Sequence, residues 1–227
     1  CSLIDYRSML KESAEEEYAR FNSKLIPGKE GIIGVRAPTL KKIAKQITKD
    51  DWETFLEETP TCYEEEVLKG LVIATAPMDA ERRIGYTEGF LGYIDNWATC
   101  DSFCQAWKFR KSESDRVYDY FSSLIDSGQE FRMRVSLVLR MSHFIDEEHV
   151  GDIMDDIVRY DHDGYYYKMG AAWAASVCYV KFPETTLDRM RNSDMDKWTY
   201  NKAIQKICES YRVSDEDKQF LRSIRKK

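Results

Sequence analysis

Leu10, Ala14, Tyr18, Phe21 and Leu25 recur at spacings of three and four, so the stretch from Leu3 to Ile26 predicts a helix with one apolar face. Pro27-Gly28 ends it. Ile32 to Val35 is a short apolar stretch around Gly34. Pro38 then suits the first turn of a helix that carries Leu40, Ile43, Ala44 and Ile47. Asp50 or Asp51 can cap a short helix bearing Trp52, Phe55 and Leu56. The same periodicity predicts helices over Tyr63–Ala76, Asp79–Ile94, Asp101–Phe109, Ser114–Asp126 and Glu130–Ile145. It continues over Glu147–Tyr160, Tyr165–Phe182, Glu184–Asn192, Lys197–Tyr211 and Asp215–Lys226.

Two of these segments are apolar around more than one face. Val135, Leu137, Val138, Leu139 and Met141 fall within seven residues, as do Ala171, Ala172, Trp173, Ala174 and Ala175. A helix of that kind belongs between layers of other helices. Short polar joints link about a dozen helices, and joints of that length suit antiparallel neighbours. A helix pair every ~40 residues is the period of HEAT-like repeats. The expectation is an all-α chain of HEAT-like helical repeats forming a curved α-solenoid, one domain over residues 1–227. The repeat rests on element spacing, because no letter-by-letter repetition is visible; a globular bundle is the competing architecture.

Composition agrees with helices. Only 11 Gly and 5 Pro interrupt 227 residues, which leaves few breakers for many short strands. Hydrophobic residues make up 43% and charged residues 33%, too apolar for a disordered chain. No secretory leader is expected, and no apolar run approaches the ~20 residues of a membrane span. The six cysteines, Cys1, Cys62, Cys100, Cys104, Cys178 and Cys208, form no CxxC pair. Cys100 and Cys104 lack a second cluster that would complete a zinc site. Reduced thiols, a cytoplasmic setting and no metal or cofactor are therefore expected.

The net charge of −6 disfavours a generic nucleic-acid coat, but it is unevenly spread. Nine Lys/Arg against four Asp/Glu over Lys197–Lys227 give +5, leaving −11 for residues 1–196. A local basic surface is compatible with an acidic chain. Phosphate loops, nucleophile elbows and HExxH are absent, and His143, His149 and His162 have no ligand spacing. What remains is tryptophan and charge at helix ends. Asp101 falls where a helix is predicted to begin, and its plainest role there is an N-cap. Arg134 sits in an apolar helix and needs an ion-pair partner or a phosphate. Trp173 sits among alanines, where plain core is the default for a tryptophan.

Five segments, in order and spacing, resemble the DNA alkylation repair family, the AlkD-like glycosylases. They are Gly34-Val35-Arg36-Ala37-Pro38, Asp95-Asn96-Trp97-Ala98-Thr99-Cys100-Asp101 and Arg134-Val135-Ser136-Leu137-Val138, followed by Tyr166-Tyr167-Lys168-Met169-Gly170-Ala171-Ala172-Trp173 and Asn201-Lys202-Ala203-Ile204-Gln205-Lys206. The resemblance spans about Tyr18 to Lys226. It implies a HEAT-like fold whose concave face cradles duplex DNA, and removal of purines alkylated at N3 or N7 without extrusion into a deep pocket. It implies that Trp97 and Trp173 are the aromatic pair of the cleft, Asp101 the catalytic carboxylate and Arg134 the arginine beside it.

The residue types suit that chemistry. A cationic purine is already a good leaving group, and its glycosidic bond can break through an oxocarbenium-like state. A carboxylate stabilises such a cation, indole faces attract it, and a guanidinium can hold a phosphate. The expected partner is double-stranded DNA containing alkylated bases, bound by a monomer, with Arg134, Lys168, Lys202 and Lys206 as a basic strip. A non-catalytic repeat protein that binds nucleic acid or another protein is the alternative.

Overall fold

A computed structural model describes residues 3–227; Cys1 and Ser2 lie outside the described residues. Fourteen α-helices and no strands are found among them. The helices are α1 (Tyr6–Ser13), α2 (Glu16–Leu25), α3 (Ala37–Thr48), α4 (Trp52–Glu57), α5 (Tyr63–Thr75), α6 (Ala80–Phe90) and α7 (Trp97–Ala106). They continue as α8 (Ser114–Ser123), α9 (Glu130–His143), α10 (Val150–Arg159), α11 (Tyr165–Lys181), α12 (Pro183–Arg191), α13 (Lys197–Cys208) and α14 (Asp215–Ser223). The chain is all-α, as the periodicity requires. No described helix is long and apolar enough to cross a membrane.

The chain divides into two compact units, Cys1–Val117 and Tyr118–Lys227. In the first, α3, α5 and α7 pack side by side, with α1 against α3 and with α4 and α6 against α5. In the second, α9, α11 and α13 form the corresponding ladder. There α10 and α12 pack on each other and on α11, and α14 lies on α13. Every second helix thus contacts the next but one, so each unit has two layers. Of the ladder helices, α5, α7 and α11 are the most apolar, as suits helices covered on more than one side. Val135 and Leu137 to Leu139 are fully buried in α9, as are the alanines at 171, 172, 174 and 175 in α11.

Two differences from the sequence reading bear on the candidate site. The single helix expected over Leu3–Ile26 is two helices, because Ala14 and Glu15 are extended and the Glu15 N–H donates to the Gly34 carbonyl. Gly34 has φ +93°, and a Cβ there would lie 2.1 Å from the Glu15 carbonyl oxygen, so glycine is required by both conformation and space. The Glu64 carboxylate, fully buried on α5, accepts the N–H groups of Ile33, Gly34 and Val35. It thereby satisfies a loop that has no strand or helix of its own. The helix expected to start at Asp101 starts at Trp97 instead. Its cap is Asn96, whose side chain accepts from the Thr99 N–H. Asp101 therefore stands in the second turn, and the N-cap role does not apply to it.

The cysteines sit where small apolar side chains would. Cys100, Cys104 and Cys178 are buried, and Cys62 and Cys208 half-buried. Burial pushes the Cys178 thiol up to about 12 and the Cys62 thiol up to about 11, so both remain protonated and poorly nucleophilic at neutral pH.

Candidate functional site

All seven expected site residues lie on ladder helices: Trp97 and Asp101 on α7, Arg134 on α9, Lys168 and Trp173 on α11, and Lys202 and Lys206 on α13. The first two belong to the N-terminal unit and the other five to the C-terminal unit.

In the N-terminal unit the start of α7 is fixed from two directions. The Trp97 indole N–H donates to the Leu25 carbonyl at 2.8 Å, at the last residue of α2. Lys29, in the loop that follows α2, bridges Asp95 at 3.2 Å and Glu66 at 2.7 Å. Burial works against the Lys29 charge, but its bonds to Glu66 and Asp95 outweigh it and hold the ammonium above the usual lysine range. Trp97 is thus half-buried in a defined orientation. Asp101 follows four residues later, which puts it on the same face one turn along. It is 8% exposed. An indole face and a carboxylate separated by one helical turn form an arrangement that attracts a cation.

In the C-terminal unit, Arg134 lies along one face of α11. Its Nη1 donates to the Tyr166 carbonyl at 2.6 Å. A Cβ at Gly170 would come within 3.2 Å of both the Arg134 Cγ and its Nη1, so the glycine makes room for the guanidinium. Tyr166, Gly170 and Trp173 are spaced four and three apart, and one face of α11 therefore carries all three. Trp173 is half-buried while its alanine neighbours are buried, so it is not plain core.

Two residues that support this face were not singled out in the sequence. Glu130, at the first position of α9, accepts the N–H groups of Tyr166 and Tyr167 at the start of α11. Phe131 stacks on Tyr166 with ring centroids 5.7 Å apart. A capping acid donated by a neighbouring helix leaves no local signal, because the usual cue is a residue just before the capped turn.

The lysines differ in their surroundings. Lys168 bridges Asp161 at 2.9 Å and Asp196 at 3.2 Å, and Asp196 also caps α13 through the Thr199 N–H. Burial opposes its charge, yet these two carboxylates hold it above the usual lysine range. Its charge is already engaged within the chain. Lys202 lies 5.5 Å above the Trp198 ring and donates to the Gln205 side chain. Lys206 is half-buried one turn further along α13.

The model of a protein family described as DNA alkylation repair enzyme matches residues 6–164. That span holds Trp97, Asp101 and Arg134 and stops just before α11. No curated protein and no solved structure gives a significant match.

Proposed function

The chain belongs to the DNA alkylation repair enzyme family, and from that premise we propose that it is a DNA glycosylase that releases cationic N3- and N7-alkylated purines from duplex DNA. The observation that supports this best is the position of Asp101. It is buried in the second turn of α7, one turn beyond an indole whose orientation is fixed, and it is not the N-cap of that helix, which is Asn96.

The reaction needs little from the protein beyond electrostatics and position. Alkylation at N7 or N3 places positive charge on the purine. As the C1′–N bond breaks, the bonding electron pair leaves with the base and neutralises it, and positive charge appears on the deoxyribose. The Asp101 carboxylate stabilises that sugar cation. Water then adds at C1′ and gives up a proton, which leaves an abasic site and a free alkylpurine. Trp97 in the N-terminal unit and Trp173 in the C-terminal unit each offer a π face to a cation. Arg134 supplies a planar donor array for a phosphate of the duplex. Its bond to Tyr166 and its fit over Gly170 hold that array in one orientation before DNA arrives.

The test is incubation of the protein with duplex DNA carrying N7-methylguanine, with free base and abasic sites both quantified. Release of the base with an equal yield of abasic sites is expected. Binding without release would favour the non-catalytic alternative, and neither binding nor release would defeat the reading.

A further inference from the structure

Beyond residue 164, where the family match ends, the start of α13 carries a surface that the proposed bond cleavage does not use. Trp198 is 39% exposed and Tyr165 58% exposed, with ring centroids 6.2 Å apart in an edge contact. Beside them is a recess of about 310 Å³ lined by Lys197, Trp198, Asn201, Lys202, Gln205 and Arg225. Three cations, two amides and one indole line it, and no carboxylate does. Among the described residues, none of the three cations is held in an ion pair with this chain.

The recess is built rather than accidental. Asn201 clamps the end of the chain from both sides of its amide: its Nδ2 donates to the Lys226 carbonyl at 2.8 Å and its Oδ1 accepts from the Lys226 N–H at 2.9 Å. The Tyr200 hydroxyl donates to the Ile224 carbonyl at 3.0 Å. These three bonds fix Arg225 opposite Lys202. They also separate charge along the α13–α14 hairpin. The acids Asp215, Glu216 and Asp217 occupy the first turn of α14, at its far end, while Arg225, Lys226 and Lys227 are brought to the α13 start.

A cationic recess beside a partly exposed indole, whose Lys202 neighbour could turn from the ring to a phosphate, suits a ligand that has both a negative backbone and a flat ring able to leave its own stack. A fully paired duplex offers the first but keeps its ring faces covered. We propose that the Tyr165–Trp198–Lys202–Arg225 surface binds an unpaired nucleotide of DNA. The base lies against Trp198, and the flanking phosphates lie on Lys197, Lys202 and Arg225. Choosing DNA as the nucleic acid rests on the repair reading above; the preference for an unpaired nucleotide rests on the surface alone.

Fluorescence anisotropy with three labelled DNAs tests this: a single strand, the fully paired duplex, and the same duplex with one nucleotide left unpaired. Trp198→Ala should weaken binding of the single strand and the interrupted duplex about tenfold, the order expected for loss of one stacked base. Binding of the paired duplex should change less than about twofold on the same reasoning. Trp198→Phe keeps a π face and should restore most of the loss. Reversing charge in the Lys202→Glu/Arg225→Glu double variant should flatten the salt dependence for the single strand by about 1.4 in log–log slope. Equal losses on all three DNAs, or no loss on any, would overturn the proposal. Base release measured on the same samples separates the two readings. Normal release with an unaffected Trp198→Ala leaves the glycosylase reading standing and removes this one. No binding and no release by the wild type removes both.

Discussion

α7 and α13 begin in the same way and end up with opposite surfaces. Each opens with an Asx residue whose side chain takes the N–H of a threonine three residues on: Asn96 with Thr99, and Asp196 with Thr199. Each carries a tryptophan in its first turn and a charged residue four positions later. In α7 these are Trp97 and Asp101, and in α13 Trp198 and Lys202. The capping bond is shared, but φ is −152° at Asn96 and −48° at Asp196, the tryptophan is the first helical residue in α7 and the second in α13, and the charge four positions on has the opposite sign. Trp97 is held by the Leu25 carbonyl and presents its face beside a buried acid. Trp198 meets the edge of Tyr165, carries the Lys202 ammonium 5.5 Å from its ring centroid and keeps part of its surface exposed. One helix start is suited to a cation and the other to a nucleotide with its phosphates. Fold alone does not assign either role; the side chains on it do.

The comparison can be broken most severely from beneath α7. Glu64 satisfies three backbone N–H groups of the loop that packs against α2, and α2 supplies Leu25. Glu64→Ala would leave three buried donors without their acceptor, at about 1–3 kcal/mol each before the loop relaxes. A loss of about 3 kcal/mol or more by urea titration is expected, with a shift in Trp97 fluorescence. Stability within about 0.5 kcal/mol of wild type, the usual range for an unimportant surface site, would show that the loop is not held this way.

The two caps should also respond differently to pH. Burial works against the Asp196 charge, but the Thr199 backbone N–H and the Lys168 ammonium outweigh it and hold the carboxyl below the usual range. A depressed carboxyl contributes stability above its unfolded value of about 3.9 and loses it as pH falls through the folded value. Lys168, raised by its two carboxylates, contributes below about 10.4 and loses that contribution as pH rises through its own folded value. Melting temperature against pH should therefore show an acid limb that Asp196→Asn flattens. Asn caps a helix about as well as Asp, so helix α13 should persist in that variant. Asn96→Asp, which adds no such lysine partner, should not create a comparable limb. Parallel curves for wild type and Asp196→Asn would contradict the assignment.

The smallest effects compare the two indoles directly. Trp97→Phe removes the hydrogen bond to Leu25 and should lower stability by about 1 kcal/mol. Trp198→Phe should change it by less than about 0.5 kcal/mol, as at an exposed site. Chemical denaturation of the two variants side by side would decide this, and equal losses would erase the distinction between a held and an open tryptophan.

Much of this was legible in the sequence because the 3.6-residue apolar period survives in nearly every helix. The order of the five marker segments pointed to the family that the match over residues 6–164 shows. What the sequence hid was set by contacts between distant segments. The break at Ala14-Glu15 depends on Gly34, nearly twenty residues away, and the apolar spacing runs straight through it. The start of α7 was misread because Asp101 suits a cap, whereas the side chain that takes the Thr99 N–H belongs to Asn96, five positions earlier. Lys168 looked like a free cation for DNA, yet Asp161 and Asp196 reach it from the turns before α11 and α13. The recess beside Trp198 depends on Asn201 holding the backbone next to Arg225, which no local pattern encodes.

The central claim is that Asp101 acts on the chemical step, and single-turnover release of N7-methylguanine by wild type and Asp101→Asn tests it most directly. Affinity for the methylated duplex and melting temperature should be recorded on the same preparations. Asparagine keeps the shape and removes the charge. The account predicts that release slows by about 10²–10³-fold, equivalent to about 2.7–4 kcal/mol of lost electrostatic stabilisation. It predicts that DNA affinity and melting temperature change far less. Equal release rates from two proteins of equal stability would remove Asp101 from the mechanism.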